Sequence, residues 1–401
     1  MAGQLRLAML SIHSSPIGNI GAKDTGGMSI YVREVARQMG KLGLLVDIYT
    51  RVHDPKRSRI VELGKNVRLI HLRAGDGTID KLAVYPHLPT FVDNLEAFRR
   101  QSNICYDLVF SHYWLSGWVG SYLQRWWRVP HLMMFHTLGA VKNALGVGEV
   151  EPELRINTER SLAQDSHGII AATEKEKADI IHHYGAVPGK IRVIPCGVDL
   201  TLFRPMDRRM ARRQVGFGAE RVVLFVGRIE PLKGIDRLVR ATACLSNGQR
   251  PKLVIIGGDE HSQCEVVRLK GLSHELQLAD SVTFLGTIRH EELPRFYCAA
   301  DVCVVPSYYE SFSLVALESL ACGTPVVATN VGNLKNIILQ GETGYVVENN
   351  EPCHLADKIG RLLAESGDNG KAAFIRASVT NYSWSCIAPA VIQECRQVLA
   401  N

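Results

Sequence analysis

The chain lacks most of the marks that would assign it at a glance. None of its apolar runs is long enough to span a bilayer, so a membrane-spanning reading is set aside. Its ten cysteines form no C-x-x-C pair and no Cys/His ligand spacing. That removes zinc-ribbon and dithiol chemistry and reads as buried, reduced thiols in a cytoplasmic protein. No G-x-G-x-x-G fingerprint opens the first helix and no acidic residue closes the second strand, which argues against hydride transfer from a dinucleotide. An Asp-x-Asp metal motif is missing from the place where diphosphate chemistry would need one. There is no short-period repeat and no low-complexity tract. Aromatics are only 7% and do not interleave with basic clusters, so a nucleic-acid surface is not expected. The first fifteen residues carry one early arginine and a short apolar run, and read as a first strand rather than a signal peptide.

What is present is length, balance and rhythm. The 401 residues exceed one ordinary core, and two domains of roughly 200 residues each are expected. At 46% hydrophobic and 21% charged the composition is that of a soluble globular protein, and a net charge of +6 suits anionic small ligands. Short apolar runs at 5–12, 46–50, 67–72, 108–111, 131–135, 168–172 and 191–195 alternate with amphipathic stretches such as 27–42. This βαβ rhythm restarts at Arg221, with strands expected at 222–226, 253–257, 282–285, 302–306, 326–328 and 344–347. Between the halves, 203–220 is rich in Arg, poor in apolar residues and contains Pro205, so it reads as a linker. The expected division is an N-terminal domain at 1–203, a C-terminal domain at 204–381, and a last helix over 382–401 returning to the first. Two doubly wound α/β domains would face each other with the carboxyl ends of their sheets around one cleft.

Five constellations carry chemistry. The most informative is PSYYESFSLVALESLACGTPVV at 306–327, which sets Glu310 in a loop after a strand and Glu318 on the following helix. A strand, a loop carboxylate and a helix N-terminus can hold a phosphorylated ligand. Glu318 could take ribose hydroxyls and Glu310 the hydroxyls of a sugar. Asp24-Thr25-Gly26-Gly27, between the first strand and first helix, would let backbone approach an anion or a sugar closely. Gly227-Arg228-Ile229-Glu230-Pro231-Leu232-Lys233-Gly234 ends a strand in glycine and places two cations before a helix, suited to a departing diphosphate. Phe135-His136-Thr137 lies at another strand end, where a histidine could bond a sugar hydroxyl; His112-Tyr113-Trp114 is either a packing cluster or a binding element. Arg155, Lys81 and Lys142 are scattered basic residues that matter only if they converge on a phosphorylated acceptor.

Together these pieces resemble the retaining glycosyltransferases of family 4, over nearly the whole chain. The resemblance implies the GT-B fold, two Rossmann-like domains about a central cleft, and no metal or other cofactor. It implies that Arg228 and Lys233 bind the donor diphosphate, beside Gly227, Ser313 and Leu314. Glu318 would hold the ribose, Glu310 the transferred sugar and His136 one of its hydroxyls, with Gly26 and Gly27 against the phosphates or the acceptor. His136, Arg228, Lys233 and Glu310 are thus the expected catalytic set, and Lys81, Tyr113, Thr137 and Arg155 the expected acceptor set.

Two groups within the family compete. SHYWLSGWVG followed by FHTLGAVKN is similar to the enzymes that join N-acetylglucosamine to inositol 3-phosphate in mycothiol synthesis. The Lys81 to Phe91 segment, KLAVYPHLPTF, resembles the acceptor loop of sucrose-phosphate synthases, where an equivalent lysine helps grip fructose 6-phosphate. Arg155 fits the phosphate-binding arginine of both. Met28, Ser29, Ser313 and the Gly332-Asn333-Leu334-Lys335 stretch depart from the usual pattern of one group or both, which leaves the donor open. The expectation from sequence is UDP-glucose transfer to fructose 6-phosphate, giving sucrose 6-phosphate, with the inositol phosphate reading as alternative. A nucleotide-sugar 2-epimerase and a non-catalytic nucleotide-sugar binder share the architecture and stay open. The expected partners are the nucleotide sugar and the sugar phosphate, without nucleic acid, and a homodimer is possible.

Overall fold

Alternation of short apolar strands with amphipathic helices produces two separate parallel sheets in the computed structural model, which describes residues 4–18, 25–54, 56–245, 250–365 and 370–400. The first sheet is built from β1 (Arg6–Leu10), β2 (Leu45–Arg51), β3 (Ile60–Gly64), β4 (Val67–Leu72), β5 (Leu108–His112), β6 (His131–Met134), β7 (Gly168–Ala171) and β8 (Ile191–Val193). The second holds β9 (Val222–Val226), β10 (Lys252–Ile256), β11 (Val282–Gly286), β12 (Val302–Val305), β13 (Val326–Thr329) and β14 (Gly344–Val347). Their orders are β3-β4-β2-β1-β5-β6-β7-β8 and β11-β10-β9-β12-β13-β14. Most of these strands are buried along their length, as expected where helices cover both faces.

Strand order reverses direction beside β1 and β5 in the first sheet and beside β9 and β12 in the second. In open α/β sheets a crevice forms at such a reversal, outside the strands' carboxyl ends. The loops after these four strands are therefore where a ligand belongs, and they are the loops that carry the sequence motifs.

Three local features depart from the sequence expectation. Ile60–Gly64 adds an antiparallel edge strand to the first sheet, and its burial is too slight to leave an apolar run. The segment read as a linker is not irregular throughout, since Arg208–Val215 is a helix capped by the Asp207 side chain, which accepts from the Met210 N–H. Two of its arginines have a destination: Arg208 and Arg212, joined by Arg221 just beyond the segment, converge on the buried Asp301 carboxylate. Half of the cysteines, Cys105, Cys244, Cys264, Cys353 and Cys386, are exposed rather than buried, and all ten are free.

The last helix, Trp384–Ala400, lies against Gly27–Lys41 and against β6. Glu394 on it meets Arg192 of β8 at 3.3 Å. At its start Val198 bridges Ser383, and a side chain at Gly197 would strike the Trp384 ring at 2.7 Å. Arg376 donates to the carbonyls of Phe203, Ala321 and Leu200, at 2.6, 2.8 and 2.7 Å, and ties the crossing chain to the second sheet. Apolar packing through Phe203, Phe312 and Trp384 runs continuously from one sheet to the other.

Candidate active site

A cleft enclosing about 280 Å³ lies between the carboxyl ends of the two sheets. All fourteen residues singled out from sequence line it: Gly26, Gly27, Lys81, Tyr113, His136, Thr137 and Arg155 on one wall, and Gly227, Arg228, Lys233, Glu310, Ser313, Leu314 and Glu318 on the other. Asp24, part of the same glycine motif, lies outside the described residues. The cleft is narrow at its helix starts, where a side chain at Gly27 would meet Leu314 at 3.5 Å; one at Gly26 would meet no protein atom within 4 Å.

Backbone conformation is unusual at this cleft. Among the described residues seven non-glycine positions have positive φ, and three of them, Tyr113 (73°), His136 (62°) and Ser313 (83°), line it. Each follows a strand and turns the chain sharply toward a helix. Such conformations cost of order 1–3 kcal/mol each and persist where surrounding structure holds them, often at functional sites. Gly257 supports the floor of the cleft: its φ is 131°, and a Cβ there would sit 1.8 Å from the Gly227 carbonyl oxygen.

The second wall carries paired charges. Lys233 Nζ lies 2.7 Å from Glu310 Oε1, which also accepts from Ser307 Oγ at 2.8 Å. Arg228 meets Glu230 at 3.0 Å, with the arginine side chain 40% exposed. Burial alone would raise the Glu230 carboxyl, but Arg228, then Lys233, Lys142 and Lys81, hold it below its ordinary value. Glu318, on the helix Leu314–Ala321, accepts from His290 Nε2 at 2.7 Å and from the Tyr297 hydroxyl at 2.9 Å. A carboxylate offers about four lone-pair sites, so two remain for a ligand's hydroxyls. Among the described residues the helix start has no side-chain cap and the buried Ser313 Oγ no hydrogen-bond partner.

The first wall is basic and tightly cross-linked. Arg155 is fully buried. Its Nε donates to Glu159 at 2.7 Å, one terminal nitrogen meets Glu151 at 2.9 Å, and the other donates to the carbonyl and hydroxyl oxygens of Thr137 at 3.0 Å each. Its guanidinium sits 4.8 Å from the Tyr113 ring centroid, and burial pushes that phenol up to about 12. Lys142 pairs with Glu151, whose carboxyl would be raised by burial but is drawn down to about 2 by Arg155 and Lys142. Lys81 has no ion-pair partner among the described residues, and burial lowers its pKa. It opens the short 3₁₀ turn Lys81–His87, ahead of the helix Leu88–Gln101.

His136 forms an imidazole pair with His112, Nε2 to Nδ1 at 2.9 Å. Burial drives His136 down to about 3 and His112 well below its ordinary value. Both rings are therefore neutral at pH 7, and one donates to the other. Sequence reasoning left several cleft residues without a role: Lys142, noted only as a scattered cation, and His13, Glu230, His290 and Tyr309, not assigned at all. Tyr309 reaches across the cleft, where the Leu138 N–H donates to its hydroxyl at 3.4 Å. Among the described residues no group of three or more His, Cys, Asp or Glu is placed to hold a metal, and no helix is long and apolar enough to cross a membrane.

Comparison with known proteins agrees with this architecture. Residues 25–202 match the "Glycosyltransferase Family 4" family and residues 207–378 the "Glycosyl transferases group 1" family. A D-inositol 3-phosphate glycosyltransferase of Corynebacterium jeikeium is 38% identical over 96% of this chain and 95% of its own length. One from Nocardiopsis dassonvillei is 41% identical over 92% of this chain and 88% of its own. The solved sucrose-phosphate synthase of Thermosynechococcus elongatus superposes with a TM-score of 0.89 at 36% identity, over 99% of this chain and 100% of that one. An Anabaena protein solved with UDP and glucose shares the fold at a TM-score of 0.77 and 18% identity, over 98% of this chain and all of that one. The chain belongs to glycosyltransferase family 4, with the GT-B fold, and is an enzyme that transfers a sugar from a nucleotide sugar.

Proposed function

We propose that the enzyme moves a hexosyl group from a nucleotide diphosphate sugar to a phosphorylated polyol, with an inositol phosphate as the preferred acceptor. The observation that carries this is the presence of two separate cation groups in one cleft. Arg228 and Lys233 stand at the end of β9 and just beyond it, while Lys81, Lys142 and Arg155 stand on the opposite wall. One group suits the donor diphosphate and the other an acceptor phosphate. An epimerase working on donor alone has no use for the second.

The acceptor preference reverses the order reached from sequence. Relatives between 35% and 41% identical, over nearly the whole chain, are named for D-inositol 3-phosphate. The sucrose-phosphate reading stays as the second one, supported by the 36% identity to the solved synthase and by the Lys81–His87 segment.

In the mechanism we infer, the bond from sugar C1 to the diphosphate oxygen breaks and one from C1 to the acceptor oxygen forms on the same face. The acceptor's hydroxyl proton passes to the leaving diphosphate oxygen. Arg228, Lys233 and the N–H groups of the uncapped helix start would stabilise the charge that develops there, as fixed donors do in a closed site. Glu318 would take the ribose hydroxyls, Glu310 and neutral His136 the sugar, and Lys81, Tyr113, Thr137 and Arg155 the acceptor. No protein nucleophile and no cofactor is assigned.

The test is nucleoside diphosphate release from a panel of UDP-, ADP- and GDP-sugars, each with inositol 3-phosphate, with fructose 6-phosphate and with neither. Release with inositol 3-phosphate alone is expected. Release only with fructose 6-phosphate would restore the sucrose-phosphate reading. Turnover that never needs an acceptor would overturn both.

A further inference from the structure

The residues around Glu318 are drawn from both domains. Its two carboxylate oxygens are each held by a donor from the second half of the chain, His290 Nε2 at 2.7 Å and Tyr297 Oη at 2.9 Å. The other nitrogen of His290 faces the first domain: Arg33 Nη2 lies 3.5 Å from His290 Nδ1. Arg33 sits on the helix Gly27–Lys41, its side chain only 11% exposed, and its Nε donates to the buried Glu34 at 2.8 Å. Glu34 takes Arg37 as well, at 3.1 Å. The Phe203 ring packs edge-on against the imidazole, with centroids 5.1 Å apart. A continuous line thus runs Glu34, Arg33, His290, Glu318, from the first helix of one domain to a carboxylate in the cleft of the other.

This line fixes a tautomer. A guanidinium has donors only, so the His290 nitrogen turned toward it is the bare one. The ring proton is then on Nε2, where it points at Glu318 Oε1. Glu318, which only accepts, asks for the same tautomer from its side; take Arg33 away and Nδ1 loses the donor that holds it, the ring is free to turn, and Glu318 loses an aligned donor. We propose that Arg33 is a positioning residue for the nucleotide's ribose, acting through His290 to hold Glu318 with its free lone pairs aimed into the cleft. This rests on the reading of Glu318 as the ribose ligand. It adds that the first domain, otherwise the acceptor's side, sets affinity for the donor's sugar–hydroxyl edge, so that the donor site is complete only with both domains in place.

The proposal is tested with a nucleoside diphosphate and its 2′-deoxy analogue, using whichever of UDP, ADP and GDP binds tightest. Calorimetric dissociation constants are compared for wild type, Arg33→Gln, Arg33→Lys and Glu34→Gln. A hydrogen bond to a charged carboxylate gives wild type a preference of about tenfold or more for the ribonucleotide. In Arg33→Gln that preference falls to within about threefold, while Arg33→Lys and Glu34→Gln retain part of it. In steady state the donor KM of Arg33→Gln rises by a larger factor than kcat falls, and the acceptor KM stays put. A purely structural role would instead lower the melting midpoint and leave the ribo/deoxy ratio unchanged. If wild type discriminates and Arg33→Gln discriminates equally, the proposal is overturned and the reading of Glu318 stands. If wild type shows no discrimination, the reading of Glu318 fails and this inference goes with it.

Discussion

Lys233 is where charge pairing and catalysis compete most directly, and Lys233→Ala with Glu310→Gln separates them. The ammonium lies 2.7 Å from Glu310 Oε1, and both side chains are about 15% exposed. If Lys233 is a diphosphate cation, its loss removes a fixed donor that strengthens as the leaving group gains charge. Such donors are worth about 2.7–4 kcal/mol, so kcat should fall by about 10² to 10³. The same change leaves Glu310 with Ser307 as its remaining partner, a cost of about 1–3 kcal/mol in stability that a denaturant midpoint reads. Glu310→Gln acts in the opposite sense on binding. Neutralising the carboxylate frees Lys233 for phosphate, and about 1 kcal/mol of released attraction corresponds to a roughly fivefold gain in affinity for a nucleoside diphosphate. The assay is calorimetric binding of the nucleoside diphosphate alone, which carries no sugar and so ignores any contact of Glu310 with the hexose. Opposite signs for the two variants are expected. Weakening by both, or wild-type turnover by Lys233→Ala, would refute the assignment of Lys233 to the diphosphate.

On the acceptor wall, Lys81→Ala and Thr137→Ala should each raise the acceptor KM by about tenfold while leaving the donor KM unchanged, as expected for a lost bond to a charged phosphate; initial rates over an acceptor series read this. Arg155→Met is a poor probe of acceptor binding, since it leaves the buried Glu159 without a cation among the described residues and Glu151 with Lys142 alone; a loss of about 3–5 kcal/mol in folding stability is expected from its urea midpoint, ahead of any kinetic effect. Acid should destabilise the fold early. His131 and His136 are depressed to about 3 by burial, and His13 and His112 lie well below their ordinary values, so all four are neutral when folded and take up a proton on unfolding below about pH 6.5. Stability therefore falls as pH drops below about 6.5, continuing toward about 3 for His131 and His136, with a slope on the order of 1 kcal/mol per unit for each histidine that stays neutral in the fold. Buried Glu176, raised to about 7, works in the opposite sense but is one group against four. Urea midpoints at pH 7 and 5 check this, and a flat profile would contradict the burial of these rings.

The parts of the site that sequence made legible are those in which chemistry is local. Glu310 and Glu318 belong to one strand–loop–helix unit, Gly227 to Lys233 to another, and Gly26-Gly27 to a third. Each motif carries its own backbone context, and the βαβ rhythm says that all of them end at the same edge of a sheet. The remainder depends on pairs far apart in the chain. Arg33 and His290 are separated by 257 positions, Lys233 and Glu310 by 77, and Leu138 and Tyr309 by 171, and no spacing rule connects them. The strain at Tyr113, His136 and Ser313 is equally silent, because a positive φ at a non-glycine residue leaves no mark in composition. The helix within the segment read as a linker was hidden for a related reason, since the partner of its Arg208 and Arg212, Asp301, lies some ninety positions later. Acceptor identity was hardest of all. Its sequence signals point two ways, SHYWLSGWVG and FHTLGAVKN toward the inositol phosphate enzymes and the Lys81 to Phe91 segment toward the sucrose-phosphate synthases, with Arg155 fitting both.

The charge arrangement of the cleft bears on how a donor would enter. Arg228 and Lys233 are each paired with a carboxylate, Glu230 and Glu310, that approaches from the same wall. If a diphosphate binds these cations as proposed, it would not simply add to them but exchange with Glu230 and Glu310, which would have to turn away or find hydrogen-bond donors of their own. A sugar hydroxyl is such a donor for Glu310. For Glu230 the candidates are Lys81 and Lys142 on the opposite wall, both of which already act on its carboxyl. On this reasoning an incoming acceptor phosphate competes with Glu230 for those two lysines, and the donor and acceptor sites are coupled through one side chain. Glu230→Gln should then tighten binding of a nucleoside diphosphate and of a sugar phosphate together, each by a few-fold, and shrink the dependence of one affinity on the presence of the other. Calorimetric titration of either ligand, alone and with its partner saturating, measures that dependence, and an unchanged coupling in Glu230→Gln would show that the two phosphates are bound independently.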